Sequence, residues 1–269
     1  MTRSALIGHT GFVGSVLRSQ LEFDATFNSK NIEAIAGRRF DRLVFAGAQS
    51  RKWWANAHPQ EDWEGIRRAL DALARVESAE AVLISTIDVV PPGAAPTEAA
   101  DYDDRAAAQH AYGANRLALE RAFKRLFPHG RVLRLPGLFG PGLKKNVLFD
   151  LLTGNLLAQI NPHSRFQYYD LARLAGDLET TRAAGLELVH LVTEPLATAE
   201  IAQRHFPERV IGTSPAAAVD YDYRTLHAHH FGGENGYIED RQAVLRRLDR
   251  FVAAWRAGAV GVRPSEAAG

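Results

Sequence analysis

The 269-residue sequence contains no cysteine. Disulfides, thiolate nucleophiles and zinc sites built on sulfur are therefore excluded, which leaves carboxylate, hydroxyl, amine or cofactor chemistry. An excess of one charge is also absent, because 32 Lys and Arg residues stand against 31 Asp and Glu residues. This balance argues against a nucleic-acid-binding protein and against a surface that binds acidic membranes.

Long hydrophobic runs are missing as well. No apolar stretch approaches the roughly 20 residues that a transmembrane helix requires. Residues 1–4 lead directly into a predicted strand, without the apolar segment of a secretory signal. We therefore expect a cytoplasmic protein with no membrane partner. Its 46% apolar and 23% charged residues are typical of a folded globular chain.

Short apolar runs alternate with longer segments of helical period, a pattern typical of strands and crossover helices in a parallel sheet. Strands are predicted at residues 4–7, 42–46, 81–85, 131–135, 167–171 and 186–192. The first four are short and mainly apolar, as expected for strands that are covered on both faces. The predicted fold class is therefore α/β, with a Rossmann-like, doubly wound parallel sheet and a small C-terminal substrate lobe.

The domain boundaries are predicted from a change in this pattern after about residue 140. Residues 137–142 contain three glycines and a proline, which predicts a turn-rich passage at the end of a strand. The expected units are a dinucleotide-binding domain of residues 1–142 plus about 165–192, a substrate lobe of about 143–164 and 193–256, and a flexible tail of 257–269.

A glycine-rich turn follows the first predicted strand and opens the first predicted helix. The residues of this turn with a candidate role are Gly8, Thr10, Gly11, Phe12, Val13 and Gly14. Its glycines allow the backbone to turn tightly and to approach a pyrophosphate, whose charge the helix N-terminus stabilises. A turn without a ligand is the alternative, but the position between strand and helix favours cofactor binding.

This turn resembles the opening of the extended short-chain dehydrogenase/reductases, a family of nucleotide-sugar epimerases, dehydratases and reductases. The resemblance implies a nicotinamide dinucleotide, NADP or NAD. A carboxylate for the ribose is expected about 20 residues after the first glycine, where the chain has Asn28, Ser29 and Lys30. A hydroxyl beside a lysine suits a 2′-phosphate and favours NADP. A solvated surface charge is the alternative role of Lys30.

Tyr112 and Arg116 are four residues apart, so they project from one face of a helix. The pair resembles the family's YxxxK motif, in which the tyrosine exchanges a proton with the substrate. The lysine of that motif lowers the tyrosine pKa and binds the nicotinamide ribose. Arg116 supplies a positive charge and several donors, but the exchange is not conservative at an oriented site. An amphipathic helix face is the alternative.

Residues 82–89 resemble the family's fourth core strand, whose terminal hydroxyl binds the reacting oxygen. Aligning residues 89–90 with the family's Val-Tyr gives this role to Thr86, with Ser85 beside it in the cofactor site. Dehydratases of the family carry Asp-Glu directly after the threonine, whereas this chain has an isoleucine and Asp88. Dehydration is therefore disfavoured, while epimerisation and carbonyl reduction both stay open.

The rest of the site is assigned by residue type and by the resemblance. Expected cofactor contacts are the small residues Ala46, Gly47 and Ala48, which serve equally for close packing, and Pro136 and Leu138 beside the nicotinamide. Expected substrate ligands are Lys52, Trp53, Lys145, Asn146 and Arg224. An aromatic residue beside cations can stack on a sugar or base. A packed loop with solvated lysines is the alternative.

Two further expectations concern a metal site, which is not predicted, and a dimer interface, which is. The histidines at 227, 229 and 230 lack acidic or histidine partners at helical spacing, so no metal is expected. The resemblance suggests a homodimer through helices at residues 64–76 and 106–127.

These observations predict an NAD(P)-dependent oxidoreductase, an epimerase or reductase of a nucleotide-linked sugar. The alternative is a non-catalytic NAD(P)-binding sensor or interaction protein of the same fold, a hypothesis that Arg116 motivates because it replaces the lysine of the motif.

Overall fold

The computed structural model describes residues 3–91, 93, 95–100 and 110–262. Its strands are β1 Ser4–Ile7, β2 Ala25–Phe27, β3 Arg39–Phe45, β4 Glu77–Thr86, β5 Arg131–Leu135, β6 Gly137–Phe139, β7 Arg165–Phe166, β8 Tyr168–Asp170, β9 Leu188–His190 and β10 Leu196–Ala197. Its α-helices are α1 Phe12–Gln20, α2 Lys52–Ala57, α3 Pro59–Leu73, α4 Ala111–Leu126, α5 Val147–Thr153, α6 Leu174–Ala183, α7 Thr198–His205 and α8 Arg241–Arg256.

The chain divides into two compact units. The first consists of the described parts of Met1–Pro91, Glu98–Leu135 and Leu174–His190, and the second of those of Pro92–Thr97, Pro136–Arg173 and Leu191–Gly269. The sequence prediction grouped several segments with the dinucleotide-binding domain that lie in the second unit: residues 136–142, 165–173, 191–192 and the described ones among 92–97. Of the expected tail, residues 263–269 fall outside the described residues, and so do residues 106–109 of the expected interface helix.

The first unit contains a six-stranded parallel sheet in the order β2-β1-β3-β4-β5-β9. This order and the intervening helices confirm the predicted Rossmann-like α/β fold. The predicted strands at residues 4–7 and 131–135 have the observed bounds. The sequence did not predict β2, because its three residues are too short for a recognisable pattern.

The core of this unit forms between the sheet and the amphipathic helices α3 and α4. Leu43 and Leu83 of the sheet are fully buried with Phe123 of α4. Phe123 also packs against Phe127 with ring centroids 5.1 Å apart. Close packing of this kind holds the carboxyl ends of the strands in fixed register beside the start of α4.

The second unit contains two small sheets and three of the helices. Strand β6 pairs in parallel with β8, and β7 pairs antiparallel with β10. The turn-rich passage predicted at residues 137–142 is therefore wrong for its first half, since β6 forms there before Gly140 and Gly142 adopt positive φ angles. Among the described residues, no helix has both the length and the apolar character to cross a membrane.

Candidate active site

The turn between β1 and α1 depends on two of its glycines for packing. A Cβ atom at Gly8 would lie 2.3 Å from the carbonyl oxygen of Ala46, and one at Gly14 would lie 2.1 Å from the carbonyl oxygen of Gly8. Gly8 also has a φ of +88°. Gly11 has more room, because its nearest neighbour would be the Gly8 oxygen at 3.3 Å. Close packing alone thus accounts for Gly8 and Gly14.

The end of α1 that faces this turn suits an anion. The helix begins at Phe12 with Gly11 as its N-cap, has no side-chain cap and carries no acidic residue in its first turn. Thr10 and Val13 complete the turn. The partial positive charge at a helix N-terminus stabilises a phosphate. The residues present therefore fit the pyrophosphate of a dinucleotide.

A second turn follows β2. The Asn28 side chain accepts a hydrogen bond from the Lys30 backbone N–H at 2.9 Å, and Asn31 accepts one from Asn28 N–H at 2.7 Å. Ser29 and Lys30 are exposed. The sequence interpretation did not include His9, whose Nδ1 lies 2.9 Å from the Phe27 carbonyl oxygen at the same strand end.

The structure brings Tyr112 and Thr86 together. Thr86 is the last residue of β4, and Tyr112 lies in the first turn of α4, where their side chains share a hydrogen bond. Burial raises the pKa of Tyr112 above its ordinary value, and the charge of Asp88 adds to this rise. The positive charges of Arg116 and Lys52 oppose it, as does the hydrogen bond with Thr86. The hydroxyl is therefore a protonated acid near neutral pH.

Arg116 is buried in an ion pair. Both terminal nitrogens of its guanidinium bond the carboxylate of Asp62 on α3, and one of them also bonds the Gln49 carbonyl oxygen. The guanidinium carbon lies 4.0 Å from the centroid of the Tyr112 ring. Only 2% of the Arg116 side chain and none of Asp62 is exposed. Asn115 donates a further hydrogen bond to Asp62 at 2.8 Å.

This arrangement bears on one expectation. Arg116 is predicted to bind the nicotinamide ribose; in the structure its terminal nitrogens bond Asp62 and the Gln49 carbonyl oxygen, and the ribose contact stays a prediction. Its observed role is to stack on Tyr112 and to join α4 to α3. The clue to Asp62 lies in the sequence, since a carboxylate occupies the apolar stripe that continues with Ile66 and Leu70.

Ser85 is half-buried and joins a network of buried side chains. Its hydroxyl lies 2.5 Å from Glu120 of α4, and Glu120 also binds the guanidinium of Arg134 on β5. His190 Nε2 lies 3.2 Å from an Arg134 nitrogen, and because arginine only donates, this nitrogen accepts. The half-buried Ser85 hydroxyl thus has a structural contact, and its role at the cofactor stays a prediction.

Lys52 and Trp53 begin α2, a helix that the sequence interpretation did not predict. The ammonium of Lys52 lies 2.8 Å from a carboxylate oxygen of Asp88. Trp53 is 56% exposed, while Trp54 stacks on His58 with ring centroids 5.1 Å apart. Small residues follow β3 at the carboxyl edge of the sheet. They are Ala46, Gly47 and Ala48, which are predicted to contact the cofactor.

The other predicted ligands lie in the second unit. Asn146 caps α5 by accepting from Phe149 N–H at 3.0 Å, and it donates to the Leu138 carbonyl oxygen at 2.8 Å. Arg224 forms an ion pair with Asp222 at 2.9 Å and lies 4.1 Å over the ring of Tyr237. Pro136 is buried, and Leu138 and Lys145 are half-buried. Asn146 and Arg224 thus have structural contacts beside their predicted roles.

The histidines at 227, 229 and 230 lie in a short helical turn of the second unit. The rings of His229 and His230 are 4.0 Å apart. Within the described ranges, no group of three or more potential ligand side chains is arranged to hold a metal ion.

Comparison with known proteins finds similarity in fold but not in sequence. No protein-family model and no curated protein sequence matches the chain. UDP-N-acetylglucosamine 4-epimerase from Methanobrevibacter ruminantium has a TM-score of 0.73 at 12% identity, with 96% of this chain and 100% of that chain covered. The NAD-dependent NDP-hexosamine 5,6-dehydratase TunA has a TM-score of 0.72 at 16% identity, with 96% and 98% covered.

A third similar structure is the dTDP-4-dehydrorhamnose reductase from Bacillus anthracis, solved with NADP. Its TM-score is 0.61 at 16% identity, with 83% of this chain and 89% of that chain covered. The predicted resemblance to extended short-chain dehydrogenase/reductases is thus confirmed at the level of fold. Enzymes with epimerase, dehydratase and reductase activity share this fold, and among these structures are users of NAD and of NADP.

Proposed function

We propose that the protein is an NAD(P)-dependent oxidoreductase of the epimerase or reductase type that acts on a nucleotide-linked sugar. The observation that carries the proposal is the juxtaposition of the Tyr112 side chain with Thr86, where β4 ends beside the first turn of α4. This pair lies at the carboxyl edge of a parallel sheet whose first strand ends in an uncapped glycine turn. Ligands bind at this edge in doubly wound folds.

The roles of the residues follow from these positions. When bound, the dinucleotide supplies or accepts hydride at the nicotinamide. Tyr112 donates a proton to, or removes one from, the reacting sugar oxygen, and Thr86 polarises that oxygen with its hydroxyl. The first turn of α1 binds the pyrophosphate. Arg116 holds the Tyr112 ring in place through its stacking contact.

The turn after β2 supports NADP over NAD. It carries Ser29 and Lys30 on its exposed side and no carboxylate. A carboxylate at this position would repel a 2′-phosphate, whereas a hydroxyl and an ammonium bind one. The two cofactors should therefore differ in affinity, and Lys30→Glu should reverse the preference.

The absence of Asp-Glu after Thr86 favours epimerisation or carbonyl reduction over dehydration. Both favoured reactions require only hydride transfer and one proton, which Tyr112 and Thr86 can manage. We assign substrate contacts to Trp53, Lys145 and Arg224 by residue type. The proposed assembly is a homodimer through α3 and α4, which size-exclusion chromatography with light scattering would test.

A second candidate function is supported by the same ion pair that fixes Arg116. Because Asp62 neutralises its charge, Arg116 gives Tyr112 less help in releasing a proton than an isolated cation would. A non-catalytic NAD(P)-binding sensor of the same fold would need no such help.

The deciding experiment measures dinucleotide binding and turnover of a panel of nucleotide sugars. We expect Tyr112→Phe to retain cofactor binding and to lose about 10²-fold or more in kcat, the range for a missing general acid. Tyr168→Phe is the matched control, because the buried Tyr168 hydroxyl has no hydrogen-bond partner among the described residues. Cofactor binding without Tyr112-dependent turnover would favour the sensor, and failure to bind either dinucleotide would overturn both functions.

A further inference from the structure

We propose that His9 binds the 2′ position of the adenosine ribose, and that the protonation state of its imidazole selects the dinucleotide. The neutral ring accepts a hydrogen bond from the 2′-hydroxyl of NAD, whereas the protonated ring donates one to the 2′-phosphate of NADP. The inference rests on the proposed function for the binding of a dinucleotide. It adds a recognition residue that the sequence interpretation did not include.

The imidazole of His9 is anchored at the end of β2. The carbonyl oxygen of Phe27, the last residue of that strand, lies 2.9 Å from His9 Nδ1. The same oxygen accepts a hydrogen bond from the Gly8 backbone N–H at 2.8 Å. In doubly wound folds the ribose binds where this strand ends, and the pyrophosphate binds at the glycine turn. The His9 side chain therefore connects the two parts of the proposed cofactor site.

This contact determines the tautomer of the neutral ring. A carbonyl oxygen only accepts, so Nδ1 carries the proton and Nε2 has the lone pair. Within the described ranges, Nε2 has no hydrogen-bond partner, and the ring is only half-buried. A neutral His9 thus offers an acceptor to a ligand, and a second proton on Nε2 converts the ring into a cationic donor.

The turn after β2 uses its own side-chain oxygens internally. The Asn28 side chain accepts from the Lys30 backbone N–H at 2.9 Å, and the Asn31 side chain accepts from the Asn28 backbone N–H at 2.7 Å. A carboxylate takes the ribose hydroxyl at this point of many dinucleotide-binding folds, but residues 26–31 contain none. His9 Nε2 therefore supplies the acceptor for the 2′-hydroxyl.

The charges at this edge of the sheet make the preference depend on pH. The ends of β1, β2 and β3 and the turns after them comprise residues 7–15, 26–31 and 45–48. Their one titratable side chain besides His9 is Lys30. Lysine stays charged between pH 6 and 8, whereas a histidine ordinarily titrates in this range. The preference for NADP over NAD should therefore fall as the pH rises.

The first test follows the imidazole without any turnover. Histidine labelled with ¹⁵N reports by NMR which ring nitrogen carries a proton, and His9→Asn assigns the His9 signals. At pH 8 we expect a proton on Nδ1 and none on Nε2. Saturating NADP at pH 7 should protonate both nitrogens, because an imidazolium and a phosphate form a charge-assisted hydrogen bond. Saturating NAD should leave Nε2 as an acceptor, and a neutral ring with its proton on Nε2 would overturn the proposal.

The second test measures the dissociation constants of NAD and NADP by calorimetry between pH 6 and 8. The ratio of NADP affinity to NAD affinity should fall about tenfold over this range in the wild-type protein, the low end of what a hydrogen bond to a charged group contributes. His9→Asn should abolish this fall, and the ratio should then stay constant or rise with pH, because a phosphate monoester gains its second charge near pH 6. The asparagine amide can replace Nδ1 as donor to Phe27, so the melting temperature should change little.

Two variants are the matched controls. Lys30→Met should lower the affinity for NADP at every pH and leave the fall of the ratio in place, since a lysine does not titrate in this range. His129→Asn changes an exposed histidine just before β5, at the amino edge of the sheet, and should alter neither the ratio nor its pH dependence.

The outcomes separate this inference from the proposed enzymatic function. If the ratio depends on His9 as expected but no nucleotide sugar is turned over, the inference holds and the enzymatic function fails. If sugars are turned over but His9→Asn keeps the wild-type pH dependence, the inference is refuted and the proposed function stands. Failure to bind either dinucleotide overturns both.

Discussion

Asp62→Asn should destabilise the protein strongly, although the two side chains have the same shape. The substitution removes the negative charge that Arg116 binds with both terminal nitrogens. Because Arg116 is only 2% exposed, water cannot replace the lost carboxylate. The variant therefore leaves an uncompensated charge between α3 and α4.

The magnitude follows from burial. Removing one partner of a buried ion pair costs about 3–5 kcal/mol, a large part of the roughly 5–15 kcal/mol that stabilises a typical domain. The exposed pair of Arg39 and Glu77 provides the control, since its side chains are 75% and 69% exposed. Such surface pairs contribute about 0–1 kcal/mol. Asp62→Asn should thus cost several times as much as Glu77→Gln.

Urea unfolding followed by tryptophan fluorescence at pH 7 measures both free energies. The double variant Asp62→Leu/Arg116→Met should recover most of the loss, because it leaves no buried charge. Repeating the series in 1 M NaCl should abolish the effect of Glu77→Gln but not that of Asp62→Asn, since buried pairs are screened much less. Equal costs for Asp62→Asn and Glu77→Gln, or an equal loss of both effects in salt, would refute this reasoning.

Three further predictions concern other parts of the first unit. Gly14→Ala should unfold the turn and abolish dinucleotide binding, because its methyl group would lie 2.1 Å from a backbone oxygen, whereas Gly11→Ala, at 3.3 Å, should keep the melting temperature within a few degrees in a thermal scan. His110→Asn should remove a loss of stability on acidification: burial lowers the folded-state pKa of His110, so wild-type stability falls as the pH drops below the ordinary value of 6.5, and melting temperatures at pH 5 and 7.5 measure this. Glu120→Gln should cost about 3–5 kcal/mol in urea unfolding, because it leaves the Arg134 guanidinium buried without its counter-charge.

Local signals were enough to predict the parts of the site that lie within one strand-turn-helix segment. Strand β1, the glycine turn and α1 are adjacent in the chain. The apolar run predicts the strand, the glycines predict the turn, and the helical period predicts the helix. Thr86 and Tyr112 were predicted from motifs, and the parallel sheet brings them together because β4 ends beside the start of α4. Helix α2 was not predicted, since its six residues contain two tryptophans and no apolar period.

Pairings between distant segments were not predictable, although the sequence marks their members. Tyr112, Arg116 and Glu120 recur every four residues along α4, and Leu119 and Phe123 lie beside them on the same buried side of the helix. A charge on the buried side of a helix requires a partner.

Helical spacing identified the apolar residues of α4 and placed Tyr112 and Arg116 on one helix face, but it did not show that residues of α3 and β5 would pair with Arg116 and Glu120. The two partners, Asp62 and Arg134, stand at otherwise apolar positions of their own elements. A charge in an apolar stripe therefore predicts a buried ion pair before its partner is known. Only the three-dimensional structure shows that Asp62 pairs with the arginine that stacks on Tyr112, while Arg134 pairs with Glu120.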